Sequence, residues 1–174
     1  MLATDMITLQ NKIATYFGGN RVPTRNELIK RDGVDPFVKE DAKKAFLGQS
    51  WRDLYKHLET LKGAILGADY RLEEWSILEP GALNYYLRAY LDYLLEMLSQ
   101  NEPDEEFVSL LFHNLYQAVY IHKRDAFDDD QIEVLREVAA YTVKTIKNNK
   151  GFEIWKNDID DNIAMFLTEL EKYS

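Results

Sequence analysis

Asp53 and His57 are the residues best placed to carry out chemistry, because they lie four positions apart in a segment of helical periodicity. That spacing brings two side chains together on one face of a helix, where the carboxylate could orient the imidazole as a general base. The chain has three histidines and no cysteine, and the sequence places no serine nucleophile near this pair. A surface or interhelical hydrogen bond explains the same spacing, and we favour that structural interpretation.

Metal and nucleotide sites lack their usual patterns. A di-iron helical bundle needs Glu-x-x-His pairs and a zinc helix needs His-Glu-x-x-His, and neither pattern occurs. The aspartates at 125 and 128–130 lack the glycine and glutamate of a calcium-binding EF-hand loop, so they indicate an acidic helix start. No glycine-rich phosphate-binding loop occurs either. We therefore expect no metal, no cofactor and no catalytic residue, which predicts a protein that is not an enzyme.

The charge of the chain is uneven. Asp and Glu number 30 against 21 Lys and Arg, which gives −9 at pH 7. Residues 1–66 carry a net +3, whereas residues 67–174 carry −12. An acidic surface repels nucleic acids and attracts basic proteins, so we expect a protein partner and no nucleic acid. The candidate contact residues are the aspartates of two predicted helix starts: Asp128, Asp129, Asp130, Asp158, Asp160 and Asp161.

Apolar residues recur at helical spacing in most segments, and no long stretch alternates strictly between polar and apolar residues. This periodicity predicts one all-α domain over residues 1–174 with about six or seven helices. The segments near residues 80–99 and 104–123 each carry two apolar stripes, so their helices should be the most enclosed. Capping pairs predict helix starts at Ser50–Asp53 and at Asp128–Gln131, and a last helix should begin at about Asp158.

Tyrosine is abundant, with 11 residues in the chain. Four of them, Tyr85, Tyr86, Tyr90 and Tyr93, lie in the predicted helix at residues 80–99. Packing in the core explains such a cluster, since a buried tyrosine adds apolar area and a hydroxyl that needs a partner. The alternative is an exposed aromatic surface for binding another protein, where tyrosine is also enriched.

The sequence also bears on location. Residues 1–13 lack the basic start and the apolar stretch of a secretory signal. The longest stretch without formal charge, residues 107–122, has 16 residues, fewer than the roughly 20 that a membrane-spanning helix needs. With no cysteine in the chain, these features predict a cytoplasmic protein that does not associate with membranes.

Three segments together resemble a family of small, uncharacterised bacterial proteins. They are residues 45–54 (AFLGQSWRDL), residues 78–91 (LEPGALNYYLRAYL) and residues 127–131 (FDDDQ), and the resemblance covers about residues 37–148. The family pattern is F-x-G-x-S/T-W-x-D-L, then L-S-P-E-A-x-x-Y-Y-L-P-A-Y-L, then F-x-x-x-Q. Gly81 stands where an acidic residue is usual, and Arg88 stands where proline is usual. The family brings no established activity, but its small, acidic, cysteine-poor members are similar to immunity proteins.

These observations favour a protein-binding domain, most plausibly an immunity protein that neutralises a cognate bacterial toxin. The alternative is a small helical enzyme or ligand-binding domain that uses Asp53, His57 and the tyrosine cluster. Trp51 follows the Ser50 cap, and we expect it to be largely buried at the corner between two helices, near Tyr86 and Tyr90.

Overall fold

The computed structural model describes residues 2–29, 34–62, 68–100 and 103–173, and within these ranges the chain is helical. The α-helices are α1 (Leu2–Tyr16), α2 (Arg25–Leu28), α3 (Pro36–Phe46), α4 (Trp51–Thr60), α5 (Pro80–Leu98), α6 (Glu105–His122), α7 (Asp129–Asn148) and α8 (Lys156–Glu171). Two short 3-10 helices cover Glu73–Ile77 and Lys123–Asp125. The all-α fold class is confirmed, with slightly more helices than the six or seven predicted.

Short polar side chains begin several helices by satisfying backbone N–H groups that have no partner within the helix. Asp128 accepts from the Gln131 N–H at 2.8 Å, and the Gln131 side chain accepts from the Asp128 N–H at 3.1 Å. Ser50 and Asp53 form the same reciprocal arrangement at the start of α4. Both predicted capping pairs are therefore confirmed. Helix α8 begins two residues before the predicted position, because Trp155 is its N-cap residue.

Helix α5 lies at the centre of the fold and packs against α1, α2, α4, α6 and α7. Both of its apolar stripes are buried, as predicted, because neighbours cover it on two sides. Helix α6 is less enclosed than predicted at its end, since Tyr120 is 57% exposed there. Within the described residues, one buried apolar cluster extends from Leu9 in α1 to Leu170 in α8. None of the described helices is both long enough and apolar enough to cross a lipid bilayer.

Polar contacts between helices show which helix ends lie together. The Gln131 side chain at the start of α7 donates to the Tyr16 carbonyl at the end of α1, at 3.0 Å. Lys144, near the other end of α7, pairs with Asp5 of α1. Helices α1 and α7 are therefore antiparallel. The Asn84 amide donates to the Ala126 carbonyl, which places the start of α5 at the same end as the start of α7. We call this the first end of the molecule.

The starts of α6 and α8 lie at the opposite end, which we call the second end. The Glu105 carboxylate at the start of α6 accepts from the backbone N–H groups of Ile154 and Trp155, which precede α8. Asn149, just after α7, donates to the carbonyl of Gln100, just after α5. The start of α7 and the start of α8 are thus separated by the length of α7, which for 20 residues is roughly 30 Å.

Candidate functional site

Tyr86 and Tyr90 belong to the core, and their hydroxyls bind backbone carbonyls. The Tyr86 hydroxyl lies 2.7 Å from the Phe46 carbonyl oxygen and 3.0 Å from that of Gln49, in the turn between α3 and α4. The Tyr90 hydroxyl lies 2.9 Å and 3.0 Å from the carbonyl oxygens of Tyr70 and Arg71. Burial raises the pKa of both tyrosines, so they stay neutral donors. These hydroxyls fix two loops against α5.

Asp53 and His57 have separate partners. The Asp53 carboxylate accepts from the backbone N–H and the hydroxyl of Ser50, at 2.9 Å and 2.7 Å, and these bonds lower its pKa. The His57 Nε2 atom lies 2.9 Å from the Asp69 carbonyl oxygen. The structure therefore uses Asp53 to begin α4 and His57 to hold a loop, and it does not bring them together as an acid–base pair.

Trp51 is partly buried and packs against the apolar core, so it is less enclosed than a core residue. The guanidinium carbons of Arg52 and Arg88 lie 4.4 Å and 4.9 Å from the centre of its indole ring. Two arginines thus cover much of the ring that apolar side chains were expected to cover, and such cation–π contacts leave the indole near solvent. The backbone N–H of Trp51 donates a hydrogen bond to the Tyr85 hydroxyl at 3.4 Å.

A cavity of about 520 Å³ opens beside Trp51, between α1, α4 and α5. Its charged side chains are paired: Arg88 donates to Asp92 at 2.5 Å, and Glu96 accepts from Tyr55 and Lys62. Burial raises the pKa of Asp92 against the opposing effect of Arg88. A cavity lined by an aromatic residue and by paired charges offers a small ligand both apolar contact and polar partners.

The start of α7 presents an exposed group of carboxylates. Asp128 holds the cap, and Asp129 and Asp130 follow in the first turn, all three exposed. Glu133 is also exposed one turn further along. Among the described residues, no ion pair involves Asp129 or Asp130. We call Asp128, Asp129 and Asp130 the acidic cap; the carboxylates of Asp129 and Asp130 are available to bind cations of another molecule.

The second predicted group lies elsewhere. Asp158 and Asp161 are exposed and Asp160 is partly buried, and all three lie in the first two turns of α8. They stand at the second end, roughly 30 Å from the acidic cap along α7. The six predicted aspartates therefore form two separate patches.

A cavity of about 400 Å³, which the sequence did not predict, is lined in part by Gln131, the residue that Asp128 caps. Its lining includes Tyr16, Gly18, Gly19, Arg21, Asn84, Tyr85 and Gln131. The Asn84 Oδ1 atom is buried and has no hydrogen-bond partner among the described residues. An unsatisfied buried acceptor costs free energy that an incoming donor would recover. Gly18 and Gly19 signalled a helix stop, but nothing in the sequence showed which side chains would surround them.

An ion pair between Arg21 and Glu27 also lines this cavity. Arg21 donates to Glu27 at 2.5 Å, and this bond, with those from Thr24, lowers the pKa of Glu27 to about 2. The carboxylate is therefore ionised at neutral pH and its charge is matched by Arg21. Among the described residues, no three histidine, aspartate or glutamate side chains lie close enough together to hold a metal ion.

No known protein family, curated protein or solved structure matches this chain.

Proposed function

We propose that this chain is a non-enzymatic protein-binding domain that neutralises a basic protein, with an immunity protein against a cognate bacterial toxin as the form we favour. The observation that carries the proposal is the acidic cap, in which Asp129 and Asp130 are exposed and make no ion pair with any described residue. The groups of the enzymatic alternative are already engaged, since Asp53 holds Ser50, and the hydroxyls of Tyr86 and Tyr90 hold carbonyls.

The charge distribution favours electrostatic steering of a basic partner. Residues 67–174 carry −12, and the acidic cap lies at the first end within this part of the chain. A basic partner is steered toward such a field, which raises the association rate more than it tightens the final complex. Asp158, Asp160 and Asp161 contribute to the same long-range field from the second end, outside the proposed contact.

The cavity that Gln131 lines offers a place for one side chain of the partner. Binding energy in protein interfaces concentrates in a few anchors that fill pockets. Gln131 joins the two features, because it completes the cap with Asp128 and also lines the cavity. A lysine or arginine entering there would lie beside Asn84 and Gln131, while its neighbours pair with Asp129 and Asp130.

The test is binding to the protein encoded by the neighbouring gene, measured as association and dissociation rates at low and high salt. We expect the Asp129→Lys/Asp130→Lys variant to associate at least about tenfold more slowly, with an unchanged melting temperature. The matched control is Asp158→Lys/Asp161→Lys at the second end, which makes the same change of net charge and should lower the rate much less. Asn84→Ala should raise the dissociation rate instead.

If the two charge reversals lower the association rate equally, the acidic cap is not the contact surface and only the long-range field contributes. Binding that is indifferent to salt and to both reversals would refute the electrostatic proposal altogether.

A small-molecule site is the second candidate, and Trp51 is the observation that favours it. Its ring is partly exposed, lies between two guanidinium groups and lines a cavity of about 520 Å³. If a metabolite binds there, Trp51 fluorescence should change on addition of the ligand and the change should be lost in Trp51→Phe. Turnover abolished by Asp53→Asn or His57→Ala would instead support the enzymatic alternative.

A further inference from the structure

The exposed face of α7 changes the sign of its charge along its length. Asp129, Asp130 and Glu133 lie in its first half, whereas Lys144 and Lys147 lie in its second half, and all five are exposed. Lys150 follows just beyond the helix. Ala140, also exposed, lies midway between Glu133 and Lys147. The face is therefore complementary to a reversed copy of itself.

The surface around Ala140 has the shape of a helix-docking site. A cavity of about 350 Å³ lies on one side, between α1 and α7, and includes Leu9 and Tyr141. A second cavity of about 740 Å³ lies on the other side, between α7 and α8, and includes Val143 and Leu167. Ala140 borders both. A small residue between two grooves lets another helix approach closely and insert its side chains on either side.

We propose that this face binds a second copy of the chain, with the two α7 helices antiparallel about a two-fold axis at Ala140. Each of Glu133 and Lys147 lies seven residues from Ala140, or about 10 Å along the helix. The two-fold axis therefore places Glu133 of each copy level with Lys147 of the other copy, which gives two such pairs. The same register places Asp130 level with Lys150.

The register also brings Arg136 level with Lys144 of the second copy, and the neighbouring carboxylates balance these like charges. Lys144 already pairs with Asp5 at 3.0 Å. Glu171 of α8 lines the same cavity as Arg136. Lys144 therefore keeps the Asp5 carboxylate beside it, and the Glu171 carboxylate lies in the cavity that Arg136 also lines.

A second copy fits the charge pattern better than an unrelated acidic helix does. An acidic helix would match Lys147 and Lys150 but would be repelled by Glu133 and Asp130, whereas a second copy pairs all four with opposite charges. This inference does not depend on the proposed function, since the central residues, Ala140, Glu133 and Lys147, lie outside the acidic cap.

The absence of cysteine from the chain allows a direct test of the axis. When two close helices are related by a two-fold axis, the residue on that axis has its Cα atom near the Cα atom of the same residue in the second chain. The separation falls within the roughly 4.4–6.8 Å that a disulfide spans. We expect Ala140→Cys to form a disulfide-linked dimer rapidly under mild oxidation. Glu59→Cys, exposed on α4, is the control and should cross-link far more slowly. Equal rates for the two variants would overturn the proposal.

Charge exchange tests the register in solution by sedimentation equilibrium. We expect wild type to dimerise with a dissociation constant below about 1 mM. Glu133→Lys or Lys147→Glu alone should raise that constant about tenfold or more, because two attractive pairs become two repulsive ones. The double variant should regain the wild-type value. Lys56→Glu on α4 is a control for net charge, and melting curves check folding. A monomer at all concentrations, or a double variant no better than the single ones, would overturn the proposal.

Discussion

The hydroxyl of Tyr90 should contribute measurably to stability, and the hydroxyl of Tyr93 should not. Both tyrosines lie in α5 and have no exposed surface. The Tyr90 hydroxyl binds the carbonyls of Tyr70 and Arg71, whereas the buried Tyr93 hydroxyl has no partner in the part of the chain that the structure describes. Replacing each with phenylalanine removes one oxygen and leaves the ring in place, so the two variants differ chiefly in whether the removed hydroxyl made hydrogen bonds.

The expected size of the difference follows from the groups left behind. In Tyr90→Phe two carbonyls lose their donor, and within the described residues neither accepts another backbone hydrogen bond. Leaving buried acceptors unsatisfied costs about 1–3 kcal/mol, and the ring contact with Trp75 at 4.8 Å persists. We expect a loss of about 2 kcal/mol. Tyr93→Phe removes an oxygen that was desolvated without compensation, so it should be neutral or stabilise the fold by up to about 1 kcal/mol.

Urea denaturation followed by circular dichroism measures both changes. The midpoint should fall for Tyr90→Phe with an unchanged slope, because the buried area is the same. For a chain of this size, a loss of about 2 kcal/mol lowers the melting temperature by about 4–8 °C. A cost below about 0.5 kcal/mol for Tyr90→Phe, or a cost above about 1 kcal/mol for Tyr93→Phe, would refute the hydrogen-bond assignment.

Three further changes test other parts of the fold. Trp51→Ala should cost about 1–3 kcal/mol in denaturant melts, less than a fully buried tryptophan, because arginines cover its ring; a larger loss would mean that the indole is in the core. Gly18→Ala should destabilise more than Gly48→Ala, since both have positive φ but only the Cβ at Gly18 would meet Arg88, at 3.0 Å from Cγ; equal midpoints would contradict this. Burial raises the pKa of Glu74 above 4.5, so the folded state favours its protonated form, and stability falls as pH rises through the raised pKa. Glu74→Gln should therefore raise the melting temperature at pH 7, and the gain should vanish below about pH 4; a gain that does not change with pH would show that the charge is not its cause.

Helix class and helix boundaries were predictable because their signals are local. The 3.6-residue period of the apolar residues predicted α5 and its two buried stripes, and capping pairs predicted the starts of α4 and α7. A cap and its partner lie three residues apart, so the backbone geometry of one turn decides the contact. The start of α8 was misplaced by two residues because Trp155 makes no side-chain cap that a sequence pattern could reveal.

The surroundings of the candidate sites were decided by tertiary packing. The sequence placed Tyr86 and Tyr90 on α5, but their carbonyl partners lie about 20 to 40 residues away in loops that only packing brings near. Trp51 was expected at the corner between two helices, but the sequence did not show that Arg88 of α5 would lie over its ring. The six aspartates were visible as two acidic helix starts, yet their separation depends on α7 and α8 running in opposite directions. Local spacing thus determined which residues share a helix face, and long-range packing alone determined which of those faces meet.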